Sequence, residues 1–241
     1  MNKIEKLLAI LINPSLRSAL LRHGVAAGVE HLPVLRHPDK RGTQTIIDIG
    51  ANRGQFALAA RYAFPVARIV SFEPLQEPAD VFRRVFANDS STTLHQVAIG
   101  QENTQTQIHV SKSDDSSSLL PISELQNTLF PNTAEKEMRL VEVKRLSSVI
   151  DAEVIRSPAL LKIDVQGMEN EVLAGIGPLI TRFQFIYVEC SFMELYAGQA
   201  LAHEIIKILQ GKGFQLHGVY NLSYDNTGTA IQGDFLFCRE K

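Results

Sequence analysis

The chain has 241 residues, 45% of them hydrophobic, which is enough for one full hydrophobic core and at most a small appendage. Its net charge is −2 and its Lys and Arg residues are scattered, so we expect no nucleic-acid partner. The two cysteines, Cys190 and Cys238, form neither a disulfide framework nor a zinc motif, and a reducing, cytoplasmic location is the prediction.

Residues 1–44 are predicted to form an N-terminal helical appendage of two short amphipathic helices, separated at Asn13-Pro14. The apolar run from Leu7 to Ile12 is too short to cross a bilayer, and no signal-peptide cleavage pattern follows it. We therefore expect no transmembrane segment. The appendage is interpreted as a packing element, and the alternative of a lid or an oligomer contact, as in a homodimer, stays open.

From residue 45 onwards, apolar strand-like segments alternate with helix-like segments. The predicted strands are 45–49, 67–72, 93–99, 160–165, 185–190, 214–219 and 235–238, and the predicted helices are 55–64, 78–87, 169–174 and 201–210. Strands that alternate with helices of about ten residues predict βαβ units and a largely parallel sheet, which is an α/β fold.

Residues 100–150 interrupt this alternation. They contain two predicted strands (107–111 and 139–144), a polar loop (113–118) and a predicted helix near 121–129. The segment is too long for a plain connection between elements of a compact domain. We interpret it as an insertion that can cover a site at the edge of the sheet.

A loop with two glycines follows the first predicted strand, in the pattern Asp48-x-Gly50-x-Asn52-x-Gly54-x-Phe56. Ligands of open α/β sheets bind beyond the carboxyl ends of the strands, so this loop is the first place to look for a site. The G-x-G-x-x-G spacing of a dinucleotide site is absent. Asp48 suits a cationic group and the helix start after Gly54 suits an anionic one, and the amino-acid end of S-adenosylmethionine carries both.

Three acidic residues end the later strands. Glu73 lies about 20 residues after the glycine loop, where an acidic residue can bind both ribose hydroxyls of a nucleotide cofactor. Asp164 is expected to face the reactive end of the ligand and to act as a general base, and Glu189 lies at the same rim. The structural alternatives are an exposed charge for Glu73, a helix cap for Asp48 and Asp164, and an ion pair for Glu189.

The segments DIGANRGQF, FEP, VAIG, SSSL, LKIDVQG, VE and GDFLF occur in this order between about Thr45 and Arg239. They resemble the FkbM family of S-adenosylmethionine-dependent methyltransferases. The resemblance implies a Rossmann-like class I methyltransferase domain over 45–241, with the insertion at 100–150. It implies a seven-stranded, mostly parallel sheet of order 3-2-1-4-5-7-6, in which the seventh strand is antiparallel and helices cover both faces.

The same resemblance implies O-methylation of a hydroxyl on a sugar, glycan or natural product, with S-adenosylmethionine as the cofactor. Many relatives have Glu where this chain has Gln166, so Asp164 is the first candidate for the catalytic base and Glu189 the second. The expected cofactor-binding residues are Asp48, Gly50, Ala51, Asn52, Gly54, Phe56, Glu73, Pro74, Ala98, Ser118 and Asp164. Asp114-Asp115 could hold a divalent metal, but a solvated acidic loop is the preferred interpretation, and no metal is predicted.

Two other functions stay open. One is an NAD(P)-dependent oxidoreductase, which the glycine spacing disfavours. The other is a non-catalytic binding or scaffold protein that kept the cofactor pocket, which the presence of Asp164 and Glu189 disfavours. The acceptor of the methyl group is expected to be a small molecule or a glycan, and the sequence does not identify it.

Overall fold

The computed structural model describes residues 3–37 and 40–240. The strands of this part are β1 Thr45–Ile49, β2 Arg68–Phe72, β3 Thr92–His95, β4 Ala98–Ile99, β5 Thr104–Ser111, β6 Glu135–Lys144, β7 Ala159–Ile163, β8 Phe185–Ser191, β9 Phe214–Tyr224 and β10 Ala230–Arg239. The α-helices are α1 Lys3–Leu11, α2 Pro14–His23, α3 Leu32–Leu35, α4 Gln55–Ala63, α5 Gln76–Val85, α6 Glu124–Leu129, α7 Glu169–Ile176 and α8 Ala202–Gln210.

The main sheet has seven strands in the order β3-β2-β1-β7-β8-β10-β9. Among these described strands, β10 is antiparallel to both of its neighbours, β8 and β9, and the other neighbouring pairs are parallel. Because β4, β5 and β6 belong to a separate sheet, the seven main strands follow the predicted order 3-2-1-4-5-7-6. The predicted class I methyltransferase fold is confirmed.

The central strands are largely apolar because helices cover both faces of the sheet, and the buried charges of Asp48 in β1 and Lys162 in β7 are exceptions. All five residues of β1 are buried. Ile46 packs on one face with residues of α4, whereas Ile47 packs on the other face with residues of α7 and α8. These two layers form the core and hold the carboxyl ends of β1, β2 and β7 at one edge.

The predicted strand 93–99 is divided between two sheets, which corrects the prediction. His95 ends β3 in the main sheet, and the backbone N–H of Val97 donates a hydrogen bond to the carbonyl of His95 (3.0 Å). After this tight turn, Ala98 pairs with Val143 of β6 in a three-stranded sheet of order β4-β6-β5. An apolar run alone does not show which sheet each of its residues joins.

The N-terminal helices α1 and α2 lie on either side of Asn13 and pack against the main domain. Ile10, Leu16 and Val29 form a small buried cluster that contacts Leu58 of α4. No helix within 3–37 and 40–240 is long and apolar enough to cross a membrane. The domain boundary at residue 44 stays a prediction.

Candidate active site

A cavity of about 280 Å³ lies at the carboxyl ends of β1, β2 and β7. Its walls come from the loops after these strands, from the insertion and from the N-terminal segment. The expected cofactor residues that line it are Gly50, Ala51, Asn52, Phe56, Glu73, Pro74, Ala98, Ser118 and Asp164. We call it the first cavity. Asp48, Gly54 and Glu189 do not line it.

The two glycines of the first loop are required by the packing of the protein itself, and whether Gly50, which lines the cavity, also gives room to a ligand stays a prediction. Gly50 has a φ of +78°, and a Cβ atom there would lie 1.7 Å from the backbone oxygen of Asp164. Gly54 has a φ of +93°, and its Cβ would lie 2.7 Å from the ring of Phe86. Both positions therefore require glycine for their backbone conformation and for close packing.

Glu73 is held firmly at the wall of the first cavity. Its carboxylate accepts hydrogen bonds from the backbone N–H groups of Asn52 (3.0 Å) and Leu75 (2.9 Å). These bonds connect the loops after β1 and β2. A buried carboxylate fixed in this way is well placed to bind neighbouring hydroxyl groups of a ribose.

Asp48 is completely buried behind the cavity wall and is paired with Lys162, not directed at a ligand. The Nζ atom of Lys162 lies 3.4 Å from Asp48 Oδ1 and 3.4 Å from Asp164 Oδ2, and it donates to the carbonyl of Gly50 (2.9 Å). The expected direct contact between Asp48 and a cationic ligand group is therefore wrong in this geometry.

The pKa values of Asp48 and Lys162 show that each charge stabilises the other. Burial raises the pKa of Asp48, and the neighbouring Lys162 opposes this effect. For Lys162, burial lowers the pKa, but the carboxylates of Asp164 and Asp48 outweigh it, and its pKa is raised above the ordinary value. Sequence reasoning missed Lys162, although a single lysine in the buried strand Ala159–Ile163 was a usable signal, because a buried charge needs a partner.

Gln166 connects the two candidate bases. Its amide nitrogen donates to Asp164 Oδ1 (2.7 Å) and to Glu189 Oε2 (2.8 Å). The hydroxyl of Tyr196 donates to the amide oxygen of Gln166 (2.8 Å), which fixes the orientation of the amide. Gln232 donates to the other oxygen of Glu189 (3.0 Å). Gln166 thus joins the carboxylates of Asp164 and Glu189. This role was not predicted from the comparison of Gln166 with the Glu of many relatives.

The pKa of Glu189 is raised well above its usual range, first by burial and then by the negative charge of Asp164. Its side chain faces a second cavity of about 460 Å³. The walls of this second cavity are Ser113, Asp115, Ser116, Gln126, Leu129, Phe130, Pro131, Thr133, Asp164, Gln166, Glu189 and Gln232. Asp115, Asp164 and Gln166 line both cavities, so the two spaces meet there.

Within residues 3–37 and 40–240, no three or more His, Cys, Asp or Glu side chains are grouped closely enough to hold a metal ion. The side chain of Asp114, one of the two considered for a metal, lies outside the described part. Asp115 accepts hydrogen bonds from the hydroxyls of Ser113 and Ser116.

The sheet order, the loop after β1 and the acidic residue after β2 together define a class I methyltransferase. The family model described as "Methyltransferase FkbM domain" matches residues 48–216, and the chain belongs to this family. It is therefore a methyltransferase, and the oxidoreductase and scaffold hypotheses are set aside.

Relatives agree with this assignment. The chain is 31% identical over 187 residues to "2-O-methyltransferase NoeI" of Sinorhizobium fredii (strain NBRC 101917 / NGR234), covering 73% of each protein. It is 27% identical over 196 residues to "Methyltransferase sdnD" of Sordaria araneosa, covering 71% of this chain and 73% of that protein.

Among solved structures, magnesium protoporphyrin IX methyltransferase (ChlM) from Synechocystis PCC 6803 with bound SAM superposes with a TM-score of 0.50. The match covers 98% of this chain and 97% of that one at 11% identity, which shows a shared fold alone.

Proposed function

We propose that this protein transfers the methyl group of S-adenosylmethionine to a hydroxyl group of a small polyhydroxylated acceptor, such as a sugar, a glycan or a natural product. The observation that carries the proposal is the meeting of the two cavities at Asp164. One cavity has the loops expected to hold the cofactor, and the other has the space and the polar groups to hold an acceptor.

The first cavity fits the proposed cofactor in its chemistry. Glu73 offers a fixed carboxylate for the two ribose hydroxyls. Val97, Ala98 and Leu119 provide an apolar wall suited to the adenine. When bound, S-adenosylmethionine supplies a methyl group on a positively charged sulfur.

The second cavity suits neutral, hydrogen-bonding acceptors. Hydroxyl and amide side chains such as Ser116, Gln126 and Gln232 can both donate and accept, which is what several alcohol groups require. Phe130 adds an apolar wall. The described residues lining this cavity include Asp115, Asp164 and Glu189 but no Lys, Arg or His, so a phosphate-bearing acceptor is disfavoured.

Asp164 is the proposed general base. An alcohol is too weak an acid to ionise unaided near neutral pH, so a positioned base contributes to the transfer. Asp164 borders both cavities and its side chain is 35% exposed, whereas Glu189 borders only the second cavity. We assign Glu189, together with Gln232, to orientation of the acceptor, and Gln166 to positioning of both carboxylates.

The proposal is tested with S-adenosylmethionine labelled in its methyl group. The protein is incubated with a panel of neutral oligosaccharides, phenols and phosphorylated sugars, and the products are analysed by mass spectrometry. Reactions without acceptor control for hydrolysis of the cofactor. A labelled methyl ether on a neutral oligosaccharide supports the proposal.

Label found only on a phenol or a phosphorylated sugar would contradict the proposed acceptor class. Failure to bind S-adenosylmethionine in calorimetry would contradict the proposed cofactor itself. The cytoplasmic location and a homodimer stay predictions.

A further inference from the structure

One wall of the first cavity comes from outside the segment matched by the family model. Lys6 of α1 and Glu30 and His31, just before α3, line the cavity, although the family match begins at residue 48. The N-terminal segment is therefore part of the proposed cofactor site and not only a packing element.

Glu30 has one satisfied and one unsatisfied carboxylate oxygen. Lys6 Nζ lies 2.6 Å from Glu30 Oε1. Glu30 Oε2 is buried and has no hydrogen-bond partner. A buried carboxylate oxygen without a donor is unfavourable, and Glu30 also lines the first cavity, so a ligand bound there can supply a donor to this carboxylate.

The sheet order indicates which end of the cofactor lies near Glu30. Along the rim, Ala98 follows β3, Glu73 follows β2 and Gly50 follows β1. With the adenine beside Ala98 and the ribose at Glu73, the remaining part of the cofactor extends past Gly50 towards β7 and β8. His31 lies on that side, since its Nδ1 is 3.1 Å from the hydroxyl of Tyr187 in β8.

Asp48 is paired with Lys162 and does not line the first cavity. The acidic residues that do line it are Glu30, Glu73, Asp115 and Asp164, and Glu30 is the one that lies beside a lysine of the N-terminal segment. We infer that Lys6 and Glu30 form the subsite for the amino-acid end of S-adenosylmethionine. The carboxylate of Glu30 accepts hydrogen bonds from the α-ammonium group, and Lys6 binds the α-carboxylate. This inference rests on the proposed function.

The segment that carries Glu30 is held in place, as a binding subsite requires. The ring of His31 contacts Phe56 edge-on (5.4 Å between centroids), and His31 Nδ1 lies 3.4 Å from Asp234 Oδ2. The hydroxyl of Tyr187 donates to the same Asp234 oxygen (2.9 Å). In addition, the N–H of Gly28 donates to the carbonyl at the start of α4 (2.8 Å).

The methyl group and the amino-acid end then point in different directions. The second cavity shares Asp164 and Gln166 with the first, but it contains neither Lys6 nor Glu30. Lys6 and Glu30 would therefore hold the charged tail away from the acceptor, and Asp164 and Gln166 would lie where the two cavities meet.

The test compares two ligands that differ only in the tail. S-adenosylhomocysteine has the amino-acid end, whereas 5′-methylthioadenosine lacks it. Binding of both is measured by calorimetry to the full-length protein and to Glu30→Gln and Lys6→Ala. Glu5→Gln and Lys3→Ala, on α1 and away from the cavity wall, serve as matched controls.

We expect Glu30→Gln to weaken S-adenosylhomocysteine binding by about 10- to 100-fold, the range for lost hydrogen bonds to a charged group. Lys6→Ala should weaken it by about 3- to 10-fold, because that side chain is partly exposed. Binding of 5′-methylthioadenosine should change by less than about 3-fold in both variants and in the controls.

Equal losses for both ligands would overturn the subsite, since they would indicate a structural role. Unchanged binding of S-adenosylhomocysteine in both variants would also overturn it. If the wild-type protein binds neither ligand, the proposed function fails instead, and the subsite with it.

Discussion

The backbone oxygen of Asp164 lies only 1.7 Å from the position that a Cβ atom on Gly50 would occupy. The loops after β1 and β7 therefore touch through their backbones, and Gly50 also has a φ of +78°. This contact holds Asp164, the proposed base, next to the loop that lines the first cavity. Gly50 is therefore required by the packing of the two loops, whether or not it also contacts a ligand.

Replacing Gly50 by Ala should destabilise the fold by several kcal/mol, because both backbone strain and a backbone clash are introduced. The matched control is Gly228→Ala. Gly228 also has a positive φ (+88°), but nothing lies within 4 Å of its Cβ position, so strain alone should cost about 1 kcal/mol. Chemical denaturation measures both. Similar losses at the two positions would contradict the close contact.

The pair of Lys162 and Asp48 predicts a second effect on stability. Lys162→Met should lower the free energy of unfolding by about 3–5 kcal/mol, because it leaves the buried Asp48 without its cationic partner. Adding Asp48→Asn to this variant should restore part of the loss, since the unpaired charge is then removed. A loss below about 1 kcal/mol, or purely additive effects in the double variant, would contradict the pairing.

Glu73 is predicted to contribute to the affinity for S-adenosylhomocysteine. Glu73→Ala removes the carboxylate that is fixed by Asn52 and Leu75, and binding of S-adenosylhomocysteine should weaken by about 1–3 kcal/mol. Glu77→Ala, on the exposed surface of α5, is the control and should leave the affinity within about 2-fold. Calorimetry gives both values, and unchanged affinity in Glu73→Ala would remove it from the cofactor site.

Glu169 predicts a pH dependence of stability. This residue is buried at the start of α7, and burial raises its pKa from 4.5 to about 7. Between these values the unfolded chain loses its proton more readily than the folded protein. The contribution of Glu169 to the free energy of unfolding is therefore fully present below pH 4.5. It declines, by up to a few kcal/mol, as the pH rises through about 7.

Glu169→Gln should remove that decline, because the amide does not titrate. Glu171→Gln on the same helix should leave it in place. The measurement is the free energy of unfolding between pH 4.5 and 8 for the wild type and both variants, and an identical pH profile for the wild type and Glu169→Gln would contradict the raised pKa.

The hydrophobic patterns of the sequence predicted most strands and helices of the main domain. The bounds of β1 were predicted correctly, because its short β-branched run is followed at once by the glycines of the loop, a pattern typical of a buried strand. The division of 93–99 between two sheets could not be predicted, because both parts are apolar and the partner of Ala98 lies far along the chain.

The site was predicted in outline, not in its contacts. Strand ends and the family resemblance placed Glu73 and Asp164 at one rim, but whether they bind a cofactor or act as a base stays a prediction. The pairing of Asp48 with Lys162 and the bridge through Gln166 depend on neighbouring strands and side-chain direction. Likewise, an amphipathic helix gives no sign that its Lys6 faces a cavity.

The most direct test of the account is a comparison of Asp164→Asn with the wild type, once the acceptor is known. The substitution keeps the shape of the side chain and removes the base. We expect binding of S-adenosylmethionine to stay within a few-fold, while turnover falls by about 10²–10⁴-fold, the range for a lost general base. Turnover equal to that of the wild type in Asp164→Asn, measured at saturating cofactor and acceptor, would contradict the claim that Asp164, where the two cavities meet, is the general base.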